Sequence, residues 1–472
     1  MDKISLAGDF ADHLINDLIP FWSGLIDREK GGFYGKVDCN GRVDKEAVKG
    51  CILNSRILWF FTNCSMLFNE LAEEDIIPGA DLSGSADKKA AAGDLVRLSE
   101  DCMDYARHAY GFLIEHCIDK EYGGVYWSVN CDGTPNETLK HTYNQAFAIY
   151  ALASFFDATG ERAAYDMAMQ LADMLEERCT DDVGYQEAFN CDFTPTDNDE
   201  LSENGVMADK TMNTLLHVYE AFTELLRVTK KHFPAVMKTG YSPENAKTAA
   251  KLANRLKFIL EIFSEKIYNP KLNRLEVFFD KDYNPIIDLH SYGHDIEASW
   301  LIDRGLKVLA DVSATAEIEP ITLSLAEKIY TRAYRDHSLM NECENGSDDK
   351  TRVWWVQAEA VTGFMHASQK YERKAKRVLE NMKAAGASAA ERHNTQVEAE
   401  KMSSRMYAAM VDIWECIKEK FLISPRPSEW YENLDENLNP FPGQDIVRSW
   451  KCPYHNGRMC IEMIKRLLDK EN

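Results

Sequence analysis

The sequence predicts an all-α fold, an (α/α)6 toroid barrel with short β-hairpins in the helix–helix links. Three observations carry that expectation. Apolar residues recur with a period near 3.6 in about twelve separate stretches, and almost nothing between them is long enough for a core sheet. Between odd and even helices a hairpin-like element comes back again and again. Antiparallel helix pairs joined by such links close a ring in which one set of helices lines the centre and the other covers it. A chain of 472 residues has room for two or three average domains, but a single ring spanning 1–472 accounts for the repeat, so one catalytic domain is expected.

Taken in order, the periodic stretches fall at 4–20, 51–74, 98–118, 141–158, 162–179, 208–230, 244–266, 294–312, 315–337, 353–372, 399–419 and 456–470. The hairpins between them are GGFYGKVDCNGRVD (31–44), GGVYWSVNCDGTP (123–135), VGYQEAFNCDFTP (183–195), LNRLEVFFDKDYNP (272–285) and EWYENLDENLNP (429–440). Each alternates aromatic and polar residues and then reaches Asn or Asp with Gly or Pro, which is turn chemistry. One further copy, around 339–352, looks degenerate. Segments 75–97, 229–245, 341–351 and 374–398 have little apolar periodicity and read as surface loop insertions.

Composition narrows the class. Hydrophobic residues at 45% and aromatics at 11% suffice for a large core, so the chain is globular. The net charge of −23 disfavours nucleic acid and anionic membranes, both of which need cationic surface. The twelve cysteines are scattered with no CxxC pair and read as reduced thiols. No stretch reads as a signal peptide or a membrane span, so a cytoplasmic protein is expected. A monomer acting on a neutral small molecule is the expectation.

The starts of the even helices share one open face, and their polar residues are embedded in apolar sequence. They are Asn54 and Arg56; Tyr143 and Gln145; Asn213 and His217; His290, His294 and Glu297; Trp354, Trp355, Gln357 and Glu359; and Trp450, His455, Asn456 and Arg458. Buried polar groups are costly unless they face a cavity or each other. His294 and Glu297 stand three apart at a helix mouth, where the positive helix end favours a neutral, basic imidazole. Each residue also has a purely structural explanation: His217 as a satisfied core histidine, His455 as a helix cap, Arg56 as a partner of Glu359, and Trp354 and Trp355 as core. Convergence of all of them on one cavity is the reading that covers the set.

No metal is expected, since His290, His294 and Glu297 only loosely echo zinc-ligand spacing and HExxH is absent. Neither a phosphate-binding Gly-rich loop before a helix nor a GxSxG elbow occurs, which removes phosphoryl transfer and serine hydrolysis. A tryptophan-lined cavity with neutral hydrogen-bonding groups suits sugars, and several histidines in it suit acid–base chemistry.

The segments KGCILNSRILWFF, HTYNQAFAIYAL, MNTLLHVYEAF, HSYGHDIEASWL, WWVQAEA and WKCPYHNGR closely resemble the cellobiose 2-epimerases, also called mannobiose 2-epimerases, of the N-acylglucosamine 2-epimerase superfamily. The resemblance spans residues 31–462. It implies an (α/α)6 barrel that, without a cofactor, reversibly inverts C2 of the reducing-end glucose of cellobiose, lactose or cello-oligosaccharides. The family's acid–base histidines match His294 and His455, its third active-site histidine His217 and its arginine Arg56. Its sugar-stacking tryptophans match Trp450 and one of Trp354 and Trp355. On this pattern His294, His455, His217, Glu297 and Arg56 form the catalytic set, with Glu297 orienting His294. Tyr143, Asn213, Trp354, Trp355, Glu359, Trp450 and Arg458 bind substrate. His455 helps open the ring, one of the His294/His455 pair removes the C2 proton to give a cis-enediolate, and the other returns it. Other readings stay open: an aldose–ketose isomerase or an N-acylglucosamine or mannobiose 2-epimerase of the superfamily, an (α/α)6 glycoside hydrolase using Glu297 and Glu359, and a non-catalytic sugar-binding protein.

Overall fold

The protein is seen in a computed structural model that describes residues 2–74, 76, 78, 85–196, 205–237, 240–384 and 388–469. Its α-helices are α1 (Lys3–His13), α2 (Ile19–Ser23), α3 (Cys51–Glu73), α4 (Ser85–Phe112), α5 (Thr142–Thr159), α6 (Arg162–Arg178), α7 (Met212–His232), α8 (Pro243–Ile262), α9 (Tyr292–Leu309), α10 (Val312–Arg332), α11 (Trp354–Ala384), α12 (Ala389–Cys416) and α13 (His455–Leu467). Helices α3, α5, α7, α9, α11 and α13 pack each against the next, and α13 returns to α3. Helices α4, α6, α8, α10, α12 and α1 back them from outside. The division follows composition. Helix α5 is buried continuously from Thr142 to Phe156, as a helix covered on all sides must be. Helix α6 buries one stripe only, Ala164, Ala168, Leu171 and Leu175 among it.

The links weld neighbouring repeats together. The short strand leading into each inner helix pairs with the hairpin of the following repeat: Lys49–Gly50 with Ser128–Val129, Lys140–His141 with Ala188–Phe189, and Lys210–Thr211 with Phe278–Phe279. Leu289–Ser291 pairs with Glu342–Glu344, and Arg352–Val353 with Asn433–Leu434. A bridge between Val37 and Val447 closes the circle.

A buried basic side chain anchors the leader strand of five inner helices. Two residues ahead of their helices, Lys49 and Lys140 are fully buried and reach Asp27 and Asp119 at 2.7 Å, while Lys210 reaches Asp181 at 2.5 Å. In the fourth repeat His290 takes this place and pairs with Asp295 at 2.7 Å; in the fifth, Arg352 binds the Ser338 hydroxyl at 2.8 Å. A second device recurs at the fourth helical residue. Asn54 accepts the Phe33 N–H at 3.2 Å, Gln145 clamps both backbone groups of Val125, Asp295 accepts the Leu275 N–H, and Gln357 clamps both groups of Leu339. These side chains satisfy backbone groups that burial would otherwise orphan. The close approach explains the second glycine of the GG pairs: at Gly32 and Gly124, both at positive φ, a Cβ would lie 2.9 Å from Asn54 Oδ1 and 3.0 Å from Gln145 Oε1.

The expected loop insertions need correction. Within 75–97 helix α4 already runs from Ser85, and within 374–398 α11 continues to Ala384 and α12 starts at Ala389. These solvent-facing turns are rich in Ala, Lys, Glu and Arg, good helix formers whose lack of an apolar stripe hides them from periodicity. Positions 75, 77, 79–84, 238–239 and 385–387 of these segments lie outside the described residues. In 229–245, α7 ends at His232, a hairpin pairs Val236–Met237 with Gly240–Tyr241, and Pro243 opens α8. Segment 341–351 is a hairpin, Glu342–Glu344 with Ser347–Asp349. No helix of the described residues is long and apolar enough to cross a membrane.

Candidate active site

The first turns of the inner helices surround a cavity of about 570 Å³, within the ~300–1,000 Å³ usual for small-molecule sites. Of the residues singled out from sequence, Arg56, Tyr143, Asn213, His217, His294, Glu297, Trp354, Trp355, Trp450 and His455 line it. Asn54, Gln145, Gln357 and His290 do not: they are the clamps and strand anchors described above. Asn456 is turned to Glu429, at 2.5 Å.

His294 stands at the third residue of α9, where Gly293 lets the opposing indole come close; a Cβ at Gly293 would lie 2.5 Å from the Trp355 ring. The His294 and Trp355 rings are 4.8 Å apart, and the Trp355 and His455 rings 5.5 Å apart. The two imidazoles therefore share one indole. Trp450 forms a further wall beside Tyr143, at 5.9 Å, and is backed by Trp127 at 5.1 Å. Trp354 also touches His455, at 5.6 Å, but is nearly buried, so Trp355 and Trp450 offer the larger faces.

Burial sets the protonation of the histidines. His294 is pushed down to about 3 by loss of solvent, with His217 adding to it. Burial also lowers His217. His455 falls well below the ordinary imidazole value through burial and then through the charges of Arg458 and Arg56. All three are thus neutral bases near pH 7. His455 Nδ1 lies 2.7 Å from Glu359 Oε1 and His217 Nδ1 2.9 Å from Glu220 Oε2. Because each carboxylate oxygen accepts, Nδ1 carries the hydrogen and Nε2 the lone pair. His294 differs: its Nδ1 meets the Ser291 hydroxyl at 2.8 Å, a group able to give or take a proton.

Cations complete the site. Arg56 donates to the Tyr143 hydroxyl at 2.6 Å and lies over the Phe147 ring at 4.1 Å. Its Nε, Asn213 Oδ1 and Glu297 Oε2 have no protein partner, and all three residues line the cavity. Burial raises Tyr143 to about 12 against the pull of Arg56, so the phenol stays a donor.

Two sequence expectations change, and one structural alternative falls. Glu297 does not hold His294; its Oε1 accepts from Arg458 at 2.5 Å, and its Oε2 lies 4.0 Å from His217 Nε2. Glu359 and Arg458, expected to bind substrate, lie behind the cavity wall, each 1% exposed, because charges of opposite sign satisfied one another there. Arg56 pairs with Tyr143, not Glu359. Sequence reasoning passed over Glu220, although it follows His217 at the spacing by which Glu297 follows His294, and over Tyr454, whose hydroxyl donates to Glu220 at 2.5 Å. It also passed over the outer wall from Asn341, Asp349, Thr351 and Asn433, which stand in the hairpin segments 339–352 and 429–440 and not at the helix starts.

Residues 90–400 match the family described as N-acylglucosamine 2-epimerase (GlcNAc 2-epimerase). The chain is 40% identical over 452 residues to a cellobiose 2-epimerase of Eubacterium cellulosolvens, covering 96% of each, and 38% identical to one of Ruminococcus albus, covering 98% of this chain and 100% of the relative. Among solved structures, cellobiose 2-epimerase from Bacillus thermoamylovorans superposes with a TM-score of 0.77 at 34% identity, over 98% of this chain and 99% of the other.

Proposed function

This chain belongs to the N-acylglucosamine 2-epimerase family and is an isomerase of the epimerase type, and from that premise we propose that its cavity inverts C2 of the reducing-end glucose of β-1,4-linked disaccharides such as cellobiose and lactose. The observation that carries the reading is the pair of neutral imidazoles, His294 and His455, packed against one indole inside a cavity that also presents Arg56 and Tyr143.

The C2 hydrogen of an opened aldose is acidic because its electrons pass into the C1 carbonyl. His455, its Nδ1–H held by Glu359, offers Nε2 as base to one face of C2. Arg56 and Tyr143 donate to the C1 oxygen as negative charge builds there, a contribution of ~10²–10³ in rate. His217 adds a further polar contact beside Tyr143, their rings 5.0 Å apart. After rotation about C2–C3 the cis-enediolate takes a proton on its other face from His294, once that ring has been protonated from solvent, and His455 returns to solvent the proton it took, so that both rings end neutral. The Ser291 hydroxyl can accept from Nδ1–H or donate to Nδ1, so His294 can present either an N–H or a lone pair at Nε2. Trp355 and Trp450 stack on the C–H faces of the sugar, while Asn213 hydrogen-bonds a hydroxyl. The two-carboxylate hydrolase reading loses its premise, since Glu359 sits behind the wall and shares one guanidinium with Glu297.

The test is incubation of the protein with cellobiose in D₂O, with NMR of the products. Deuterium at C2 and glucosyl-mannose are expected, and epilactose from lactose. His455→Ala should lower C2 exchange by ~10²–10⁴, whereas Trp450→Ala should mainly raise KM. Free glucose, a ketose as main product, or full exchange by His455→Ala would overturn the reading.

A further inference from the structure

Arg458 does not itself line the cavity, yet it is bound to most of what the cavity chemistry needs. Its Nη2 donates to Glu297 Oε1 at 2.5 Å and to Glu359 Oε1 at 2.7 Å, and its Nη1 to Glu220 Oε1 at 2.6 Å and to the Tyr454 hydroxyl. One planar group from α13 thus gathers carboxylates from α7, α9 and α11. Two of these hold histidines: Glu220 binds His217 and Glu359 binds His455. Atoms of Glu297, Glu359 and His455 lie within 4.8 Å of one another, and burial first, then for Glu297 the charge of Glu359, holds both carboxyls above the usual carboxylate range, so the cluster needs a cation beside it to carry negative charge. The guanidinium supplies it from within the chain, as a charge that never dissociates.

We propose that Arg458 is the positioning residue of this site, a fixed internal cation that locks Glu220, Glu297 and Glu359 into one cluster and through them holds His217 and His455 as proton acceptors. The inference rests on the proton-transfer reading of the cavity given above. The groups facing His455 are Glu359 from α11, Glu297 from α9, His217 and Glu220 from α7, Arg56 from α3, and Tyr454 and Arg458 beside it. Without Arg458, three carboxylates retain Arg56 as the remaining cation among these groups, and the cluster takes up protons on its carboxyls or on the two rings. A protonated ring is no base. Proton uptake by His455 and His217 reverses as pH rises, so the defect is greatest on the acid side and recovers toward alkaline pH.

The test compares wild type, Arg458→Met and Arg458→Lys for C2 exchange of cellobiose in D₂O, with kcat and KM measured from pH ~5 to ~9. Arg458→Met should lose ~100-fold in kcat at neutral pH, keep KM within ~3-fold, and show its acid limb displaced upward by about one unit or more. Arg458→Lys restores the charge but, as a point cation, cannot reach three carboxylates with a planar fork; a loss of ~10-fold in kcat at unchanged KM is expected, so this variant decides the matter if the methionine variant does not fold. A rise in KM with kcat intact would make Arg458 a substrate-binding residue and overturn the proposal. So would a lysine variant with wild-type kcat, or a loss of kcat equal at every pH. Failure of wild type itself to exchange C2 would instead strike at the functional reading, which keeps the two outcomes apart.

Discussion

His141 shows what burial alone does to an imidazole. It is fully buried, neither ring nitrogen has a partner, and its ring lies 4.1 Å from that of Trp127. Burial holds it at about 4. Since the unfolded chain titrates near 6.5, the folded protein refuses a proton that the unfolded chain accepts; the titration of His141 costs nothing above about pH 6.5 and progressively more as pH falls to 4, on the order of 3 kcal/mol in all. His141→Phe keeps the aromatic contact and removes the titration. Its denaturation midpoint should match or exceed wild type at pH ~7 and should fall less steeply between pH ~6.5 and ~4; a slope identical to wild type would show that the ring is solvated. Residues of this kind bound what a sequence can tell. His294, His455, His217, Arg56 and Trp450 were legible because polar or aromatic groups at the starts of apolar helices have few destinations. Depth was not. Nothing in the string distinguishes Arg56, on the cavity, from Arg458, one layer behind it, because that order depends on which carboxylates of other helices reach the guanidinium first.

At the scale of elements, the leader strands turn on their buried cations. Lys140 reaches Asp119 at 2.7 Å and lies over the Tyr126 ring at 4.2 Å, while Asp119 also accepts the N–H groups of Glu121 and Tyr122. Removing one member strands the other: Lys140→Met should destabilise by ~3–5 kcal/mol. Adding Asp119→Asn, which keeps an acceptor for the two N–H groups, should recover most of that loss in urea titrations. A double variant no better than the single would show that the lysine acts through its contact with the Tyr126 ring. This device was visible as VKGC, LKHT, DKTM, LHSY and TRVW ahead of five inner helices, but isolated lysines read as solvated until the repeat is aligned. The helices themselves were legible wherever one face was apolar; α4 before Leu98, α11 beyond Glu372 and α12 before Ala399 were not, since helix propensity without a buried stripe leaves no period to detect.

For the whole molecule, closure separates this ring from an open stack of helix pairs. In a solenoid each repeat meets only its neighbours and the ends fray, so stability is a sum of local terms. Here α13 packs on α3, α1 backs α13, and Val37 bridges Val447, leaving no terminal repeat. The cavity depends on the same closure, since Arg56 comes from the first inner helix and His455 and Arg458 from the last, with Arg56 donating to the Trp450 carbonyl at 3.4 Å across the seam. A closed ring is expected to unfold as one unit. Lys140→Met in the second repeat and Arg352→Met in the fifth, where the guanidinium holds Ser338, should each shift one shared transition. Their effects should add within ~0.5 kcal/mol, since the sites share no partner, and fluorescence and circular dichroism should report the same midpoint. Two separable transitions, or a variant that melts its own repeat while C2 exchange continues elsewhere in the molecule, would mean that the repeats stand alone and that the site does not depend on the ring being whole.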